Sequence, residues 1–114
     1  MRSERLDHIM TALGDPTRRA ILARLNAGEA RVTDIAAPFD MSLNAVSKHI
    51  RLLERADLVK RRKAGREHYL SFNAAPLDEA SEWIEQTRMF WARRLDTLEC
   101  VLKSDLQEKK GRKK

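Results

Sequence analysis

Aromatic residues make up only 5% of this chain, and it holds just four glycines in 114 residues. So few of either disfavours a β-sandwich, whose many short strands are joined by glycine-rich turns. The single cysteine, Cys100, cannot form an intrachain disulfide and suits a reducing compartment. No run approaches the roughly 20 apolar residues that span a bilayer, and the opening MRSERLDHIM lacks the apolar stretch of a secretory signal. The expectation is a cytoplasmic protein with no membrane attachment. At this length the chain is one domain with a modest core, too small for an enzyme with a deep cleft between lobes. It has no glycine-rich phosphate loop, no metal-ligand cluster and no nucleophile–base spacing. Neither an enzymatic activity nor a cofactor is expected.

Positive charge is what the chain does have. Lys and Arg number 23 against 17 Asp and Glu, a net charge of +6, and this balance suits an anionic partner such as nucleic acid. Hydrophobic residues, at 42%, suffice for folding.

The apolar spacing predicts the elements in order. Leu6, Ile9, Met10 and Leu13 make a short amphipathic helix that stops near Gly14. Asp15 then caps a second helix with Pro16 at its first position, where the missing N–H costs nothing. Ile21, Leu22 and Leu25 form its apolar stripe. A third helix is expected over residues 32–39 with Thr33 as its cap, and Asp40-Met41 is left as a tight turn. Residues 42–56, SLNAVSKHIRLLERA, form a fourth helix: Ser42 is the natural N-cap, and Val46, Ile50 and Leu53 line one side. In residues 58–72 the period changes, and Val59, Tyr69, Leu70 and Phe72 flank Ala64-Gly65 as a two-stranded hairpin. A long helix opens at Pro76 and runs to about residue 104. Leu77, Ala80, Ile84, Thr87, Trp91, Leu95, Leu98 and Leu102 keep a spacing of three and four along it. Residues 106–114 are a basic tail without periodicity, expected to be disordered. The fold class is mainly α with a small β-hairpin, a winged helix-turn-helix of about five helices and a two-stranded wing occupying residues 1–105.

The fourth helix has a second side of short polar and basic groups, Asn44, Ser47, Lys48 and Arg51. A helix so built can enter the major groove of B-DNA, about 12 Å wide. Asn44 suits an adenine edge, Ser47 a base or phosphate, and Lys48 and Arg51 a guanine or phosphate. Ser42 and the N–H groups behind it form a phosphate site at the positive end of the helix dipole. The hairpin follows with Lys60, Arg61, Arg62, Lys63 and Arg66 within seven residues. Alternation sends Arg61 and Lys63 to one side and Lys60 and Arg62 to the other, so only some reach DNA together. Arg66, just past Gly65, is best placed for a phosphate or the minor groove. Double-stranded DNA is therefore the expected partner, with Arg62, Lys63 and Arg66 joining the helix in contact.

The segments LGDPTRRAILARL and VTDIAAPFDMSLNAVSKHIRLLERADLVKRRKAGREHYL resemble the ArsR-type winged-helix transcriptional regulators, closely over about residues 9–72 and loosely in the last helix. The resemblance implies a homodimer whose first and last helices pair across a two-fold axis, bound to an inverted-repeat operator and usually repressing from it. Leu6 and Ile9 on the first helix, with the Leu77–Leu102 seam on the last, would form that interface. By position, the implied contacts are Ser42, Leu43, Asn44, Ser47, Lys48 and His49, with Arg66 on the wing. Leu43 departs from the family's frequent glutamine and offers a methyl contact in place of a hydrogen bond. Asp57 replaces a frequent glycine at the helix end.

The family's metal-binding motifs are missing. Residues 31–35 contain no cysteine, and the last helix carries Asp78, Glu79, Glu82, Glu85, Asp96 and Glu99 but no histidine. His8, His49 and His68 fall on different elements, so no metal site is expected. Cys100 is expected to be a buried, inert thiol, with an intersubunit disulfide as the alternative. Trp83, Phe90 and Trp91 are expected to pack in a core or interface, and they are also the place to seek an unknown small-molecule effector. The competing reading of the whole chain is a non-catalytic helical adaptor whose last helix binds another protein, which leaves the basic hairpin unexplained.

Overall fold

A computed structural model describes residues 2–111. Its elements are α1 (Arg2–Leu13), α2 (Pro16–Leu25), β1 (Ala30–Arg31), α3 (Val32–Ala36), α4 (Leu43–Arg55), β2 (Val59–Ala64), β3 (Glu67–Phe72) and α5 (Ala75–Gly111). The chain divides into two compact units, residues 1–80 and residues 81–114.

In the first unit, the buried sides of α1, α2, α3 and α4 meet over a small antiparallel sheet. Ile9, Ile21, Ile35, Val46, Ile50, Leu53, Leu58 and Leu70 are fully buried there. Each such side chain removed from water contributes about 1.5–3 kcal/mol before entropy is counted. The predicted stripes of α2 and α4 are the stripes that are buried. Asp15 caps α2 as its sequence demands, accepting from the Arg18 N–H at 3.1 Å with Pro16 next in line. Ser42 caps α4 likewise, its Oγ accepting from the Ala45 N–H at 3.1 Å.

The end of α4 is a Schellman closure. Leu58 N–H donates to the Leu53 carbonyl at 3.0 Å and Asp57 N–H to the Glu54 carbonyl at 2.9 Å. Asp57 itself takes φ 59°, the left-handed conformation that glycine usually supplies. Gly65, at φ 63°, opens the two-residue turn joining β2 to β3, as a hairpin turn of type II′ requires.

Three details differ from the sequence reading. The sheet has three strands, because Ala30 and Arg31 pair with Leu70 and Tyr69 and give the order β1-β3-β2. The helix α3 starts at Val32 with no side-chain cap from Thr33 and ends at Ala36. Strand β1 runs directly into it, so Arg31 occupies the cap position, and Pro38 has no N–H to extend the ladder. The last helix reaches Gly111 instead of ending near residue 104. Gln, Glu and Lys at 107–110 are good helix formers, and no breaker precedes Gly111; residues 112–114 of the basic tail lie outside the described residues.

The second unit consists of the greater part of α5. Trp83, Ile84, Trp91, Leu95, Leu98 and Leu102 on it are each about half exposed.

Candidate nucleic-acid interface

The outward side of α4 is built by its own cap and core. Val46, Ile50 and Leu53 anchor the helix from behind, which leaves Ser42, Leu43, Asn44, Lys48 and Arg51 exposed and Ser47 half-buried. Lys48 and Arg51 have no ion-pair partner among the described residues. Beside them, Leu43 and Ser47 border a shallow groove closed on the other side by Thr33, Arg61, Arg66 and His68. Helix α4 and the wing therefore share one surface within the first unit.

Ion pairing sorts the wing's cations. Arg61 makes a two-pronged bond to Glu54 at 3.2 and 2.8 Å, and Lys60 lies 3.6 Å from Asp57. Arg62 is likewise held by Glu29 at 3.2 and 2.7 Å, with its guanidinium 4.6 Å over the Tyr69 ring. The Arg62 hydrogen bond holds the Glu29 carboxyl below the usual range. Lys63 and Arg66, at the tip, have no such partner among the described residues. Of the predicted wing contacts, Lys63 and Arg66 are thus available and Arg62 is occupied. Sequence reading divided these cations by strand alternation and set Arg66 apart, but it had no signal for Glu29, 33 residues away in the chain from Arg62.

His49 also faces protein. Its Nδ1 lies 3.2 Å from Arg18 Nη1 and 3.8 Å from Asp15 Oδ2, with only 21% of the side chain exposed. Arg18 continues through Nε to the Ala12 carbonyl at 2.9 Å and through Nη2 to the Thr11 carbonyl at 2.8 Å. The Arg18 backbone N–H, first among the causes, holds the Asp15 carboxyl below its ordinary value. Sequence reading missed Arg18, because 31 residues separate it from His49.

The predicted dimer residues divide between core and surface. Ile9 is fully buried in its own chain, and Leu6 and Leu77 pack partly against the same core, so Ile9 has no surface to offer a partner. Its i, i+3, i+4 spacing marked a core stripe, which looks the same in sequence as an interface stripe. Ile84, Trp91, Leu95, Leu98 and Leu102 are open. Phe90 and Trp91 meet edge to face with centroids 5.9 Å apart and border an open trough with Arg94, Leu95 and Leu98, which Trp83 does not line. Cys100 is exposed, contrary to the buried thiol expected, since α5 has nothing from its own unit to cover it. Among the described residues, no three His, Cys, Asp or Glu side chains gather to hold a metal ion, and no helix is long and apolar enough to cross a membrane.

A capped helix with its polar side outward, preceded by a tight turn and flanked by a basic hairpin, defines a winged helix-turn-helix domain. Residues 13–62 match the family model described as a helix-turn-helix domain. SdpR, a transcriptional repressor of Bacillus subtilis (strain 168), is 32% identical over 79 residues, covering 69% of this chain and 88% of its own. An arsenical resistance operon repressor of Staphylococcus aureus is 34% identical over 79 residues, covering 69% and 76%. The crystal structure of an ArsR family transcriptional regulator superposes with a TM-score of 0.75 at 38% identity, over 79% of this chain and 93% of that one. The chain belongs to the ArsR family of winged helix-turn-helix regulators. It is a DNA-binding transcriptional regulator and not an enzyme.

Proposed function

We propose that this regulator is a cytoplasmic homodimeric repressor that reads an inverted-repeat operator through α4 and the tip of the wing. The observation that carries the proposal is the division of charge. Arg61 and Arg62 are neutralised by Glu54 and Glu29, while Lys48, Arg51, Lys63 and Arg66 have no ion-pair partner among the described residues. In this reading Ser42 and its helix N-terminus hold a phosphate, and Asn44 and Ser47 meet base edges. Leu43 meets a thymine methyl. Lys63 and Arg66 bind the backbone beside the groove. Names of relatives such as SdpR support repression. The open seam of α5 supports a two-fold dimer, which would set two α4 helices about 34–36 Å apart in successive major grooves.

The test uses a duplex recovered from a random DNA pool. Lys48→Ala and Arg66→Ala should each weaken binding and lower the salt slope by about one. Asn44→Ala should cost about 1–3 kcal/mol and relax preference at one base position. Unchanged affinity in all three variants would place the DNA contact elsewhere.

A further inference from the structure

We infer that His49 and Arg18 are positioning residues for the recognition helix, and that protonation of His49 releases α4 and weakens DNA binding. The inference rests on the DNA-binding reading above and assigns His49 a role other than contact with DNA.

Arginine has donors and no acceptor. With Arg18 Nη1 at 3.2 Å, this contact is a hydrogen bond only when His49 Nδ1 is the unprotonated nitrogen and the ring proton sits on Nε2. The same guanidinium bonds the Thr11 and Ala12 carbonyls in the last turn of α1, the first of which also accepts from the Gly14 N–H at 3.3 Å. One side chain from α2 therefore ties the end of α1 to the middle of α4. A proton on Nδ1 destroys this bond, because it sets a donor against a donor and a cation against a cation. Asp15 Oδ2, 3.8 Å away, is then an acceptor for that proton.

The charged groups in contact with His49 are Arg18 and Asp15, both at the start of α2; α1, which also carries the half-buried His8, contributes the Thr11 and Ala12 carbonyls bonded to Arg18. On α4 itself, the residues one turn away, Ala45 and Leu53, are uncharged. Asp15 is committed to capping α2 through the Arg18 N–H, so turning toward an imidazolium competes with that cap. Acidification thus exchanges a tie between helices for a local pair and loosens the placement of α4.

The sign separates this role from a direct contact. A histidine against phosphate gains charge as pH falls and binds DNA more tightly, whereas release of α4 weakens binding. The full-length protein is titrated with its selected duplex at pH 8 and pH 5.5 at constant salt. Affinity should fall about tenfold on acidification, the order expected for losing a charge-assisted hydrogen bond. His49→Asn keeps an acceptor where Nδ1 stands and should bind like the parent at pH 8, with most of the pH dependence gone. His49→Leu, checked for folding by circular dichroism, should bind weakly at both pH values. Tighter binding at pH 5.5, or a fall that persists in His49→Asn, would overturn the inference. The imidazole 15N resonances of His49 give a readout that needs no DNA. A proton on Nδ1 at pH 8 would overturn the latch whatever the protein binds. The Nε2–H form together with no DNA binding at pH 8 would overturn the DNA reading instead.

Discussion

Asp57 holds a left-handed φ of 59° at the end of α4, where an L side chain other than Asn or Asp is strained. Its carbonyl accepts from Asn73 Nδ2 at 2.8 Å, and its carboxylate lies 3.6 Å from Arg5 and from Lys60. These exposed pairs are worth little, so backbone conformation decides the outcome of substitution. Asp57→Gly should be at least as stable as the parent, and Asp57→Ala about 1 kcal/mol less stable than Asp57→Gly, measured by urea denaturation. Equal stabilities for the two variants would show that the closure of α4 does not depend on this residue's φ. At this scale the caps at Asp15 and Ser42 were legible, because each acts on an N–H three residues ahead; the cap expected at Thr33 was not, since β1 runs straight into α3. The partners of Arg18, Arg61 and Arg62 were not: each bond spans a stretch of chain that only the folded arrangement closes.

Among the elements, α2, α4 and the hairpin could be read from period, cap and turn, since each carries its own local signal. Strand β1 could not. Two residues, Ala30 and Arg31, have no period to detect, and their strand character comes from pairing with β3. The stripe of α1 was visible, but whether Ile9 faced its own core or a partner was not, because burial in either place selects the same residue types. On α5, by contrast, Leu95, Leu98 and Leu102 are left more than half exposed. An apolar seam of this kind seeks a partner. If a second copy covers it, Leu98→Glu removes a buried leucine twice across the two-fold axis. At about 1.5–3 kcal/mol for each, the dimer should weaken by at least about a hundredfold. Sedimentation velocity of the variant should show monomer at concentrations where the parent is dimeric. An undisturbed dimer would move the interface off this seam.

For the molecule as a whole, the net charge of +6 gives only a general attraction to DNA. In the proposed reading, cations without an ion pair on α4 and the wing tip give that attraction its direction. Glu29 and Glu54 neutralise the arginines on the body of the wing; Lys48 and Arg51 on α4 and Lys63 and Arg66 at the wing tip have no ion-pair partner among the described residues, and Arg66 shares a groove with Leu43 and Ser47 of α4. A two-fold dimer would present that surface twice, one helical turn of DNA apart. The measurement that tests this most directly is selection of bound duplexes from a random pool at about 150 mM salt, stringent enough to remove micromolar non-specific binding. The account predicts an inverted repeat with half-sites about ten base pairs apart, centre to centre. Recovery of no motif, with binding that disappears as salt rises, would contradict it and leave the basic surface with non-specific attraction alone.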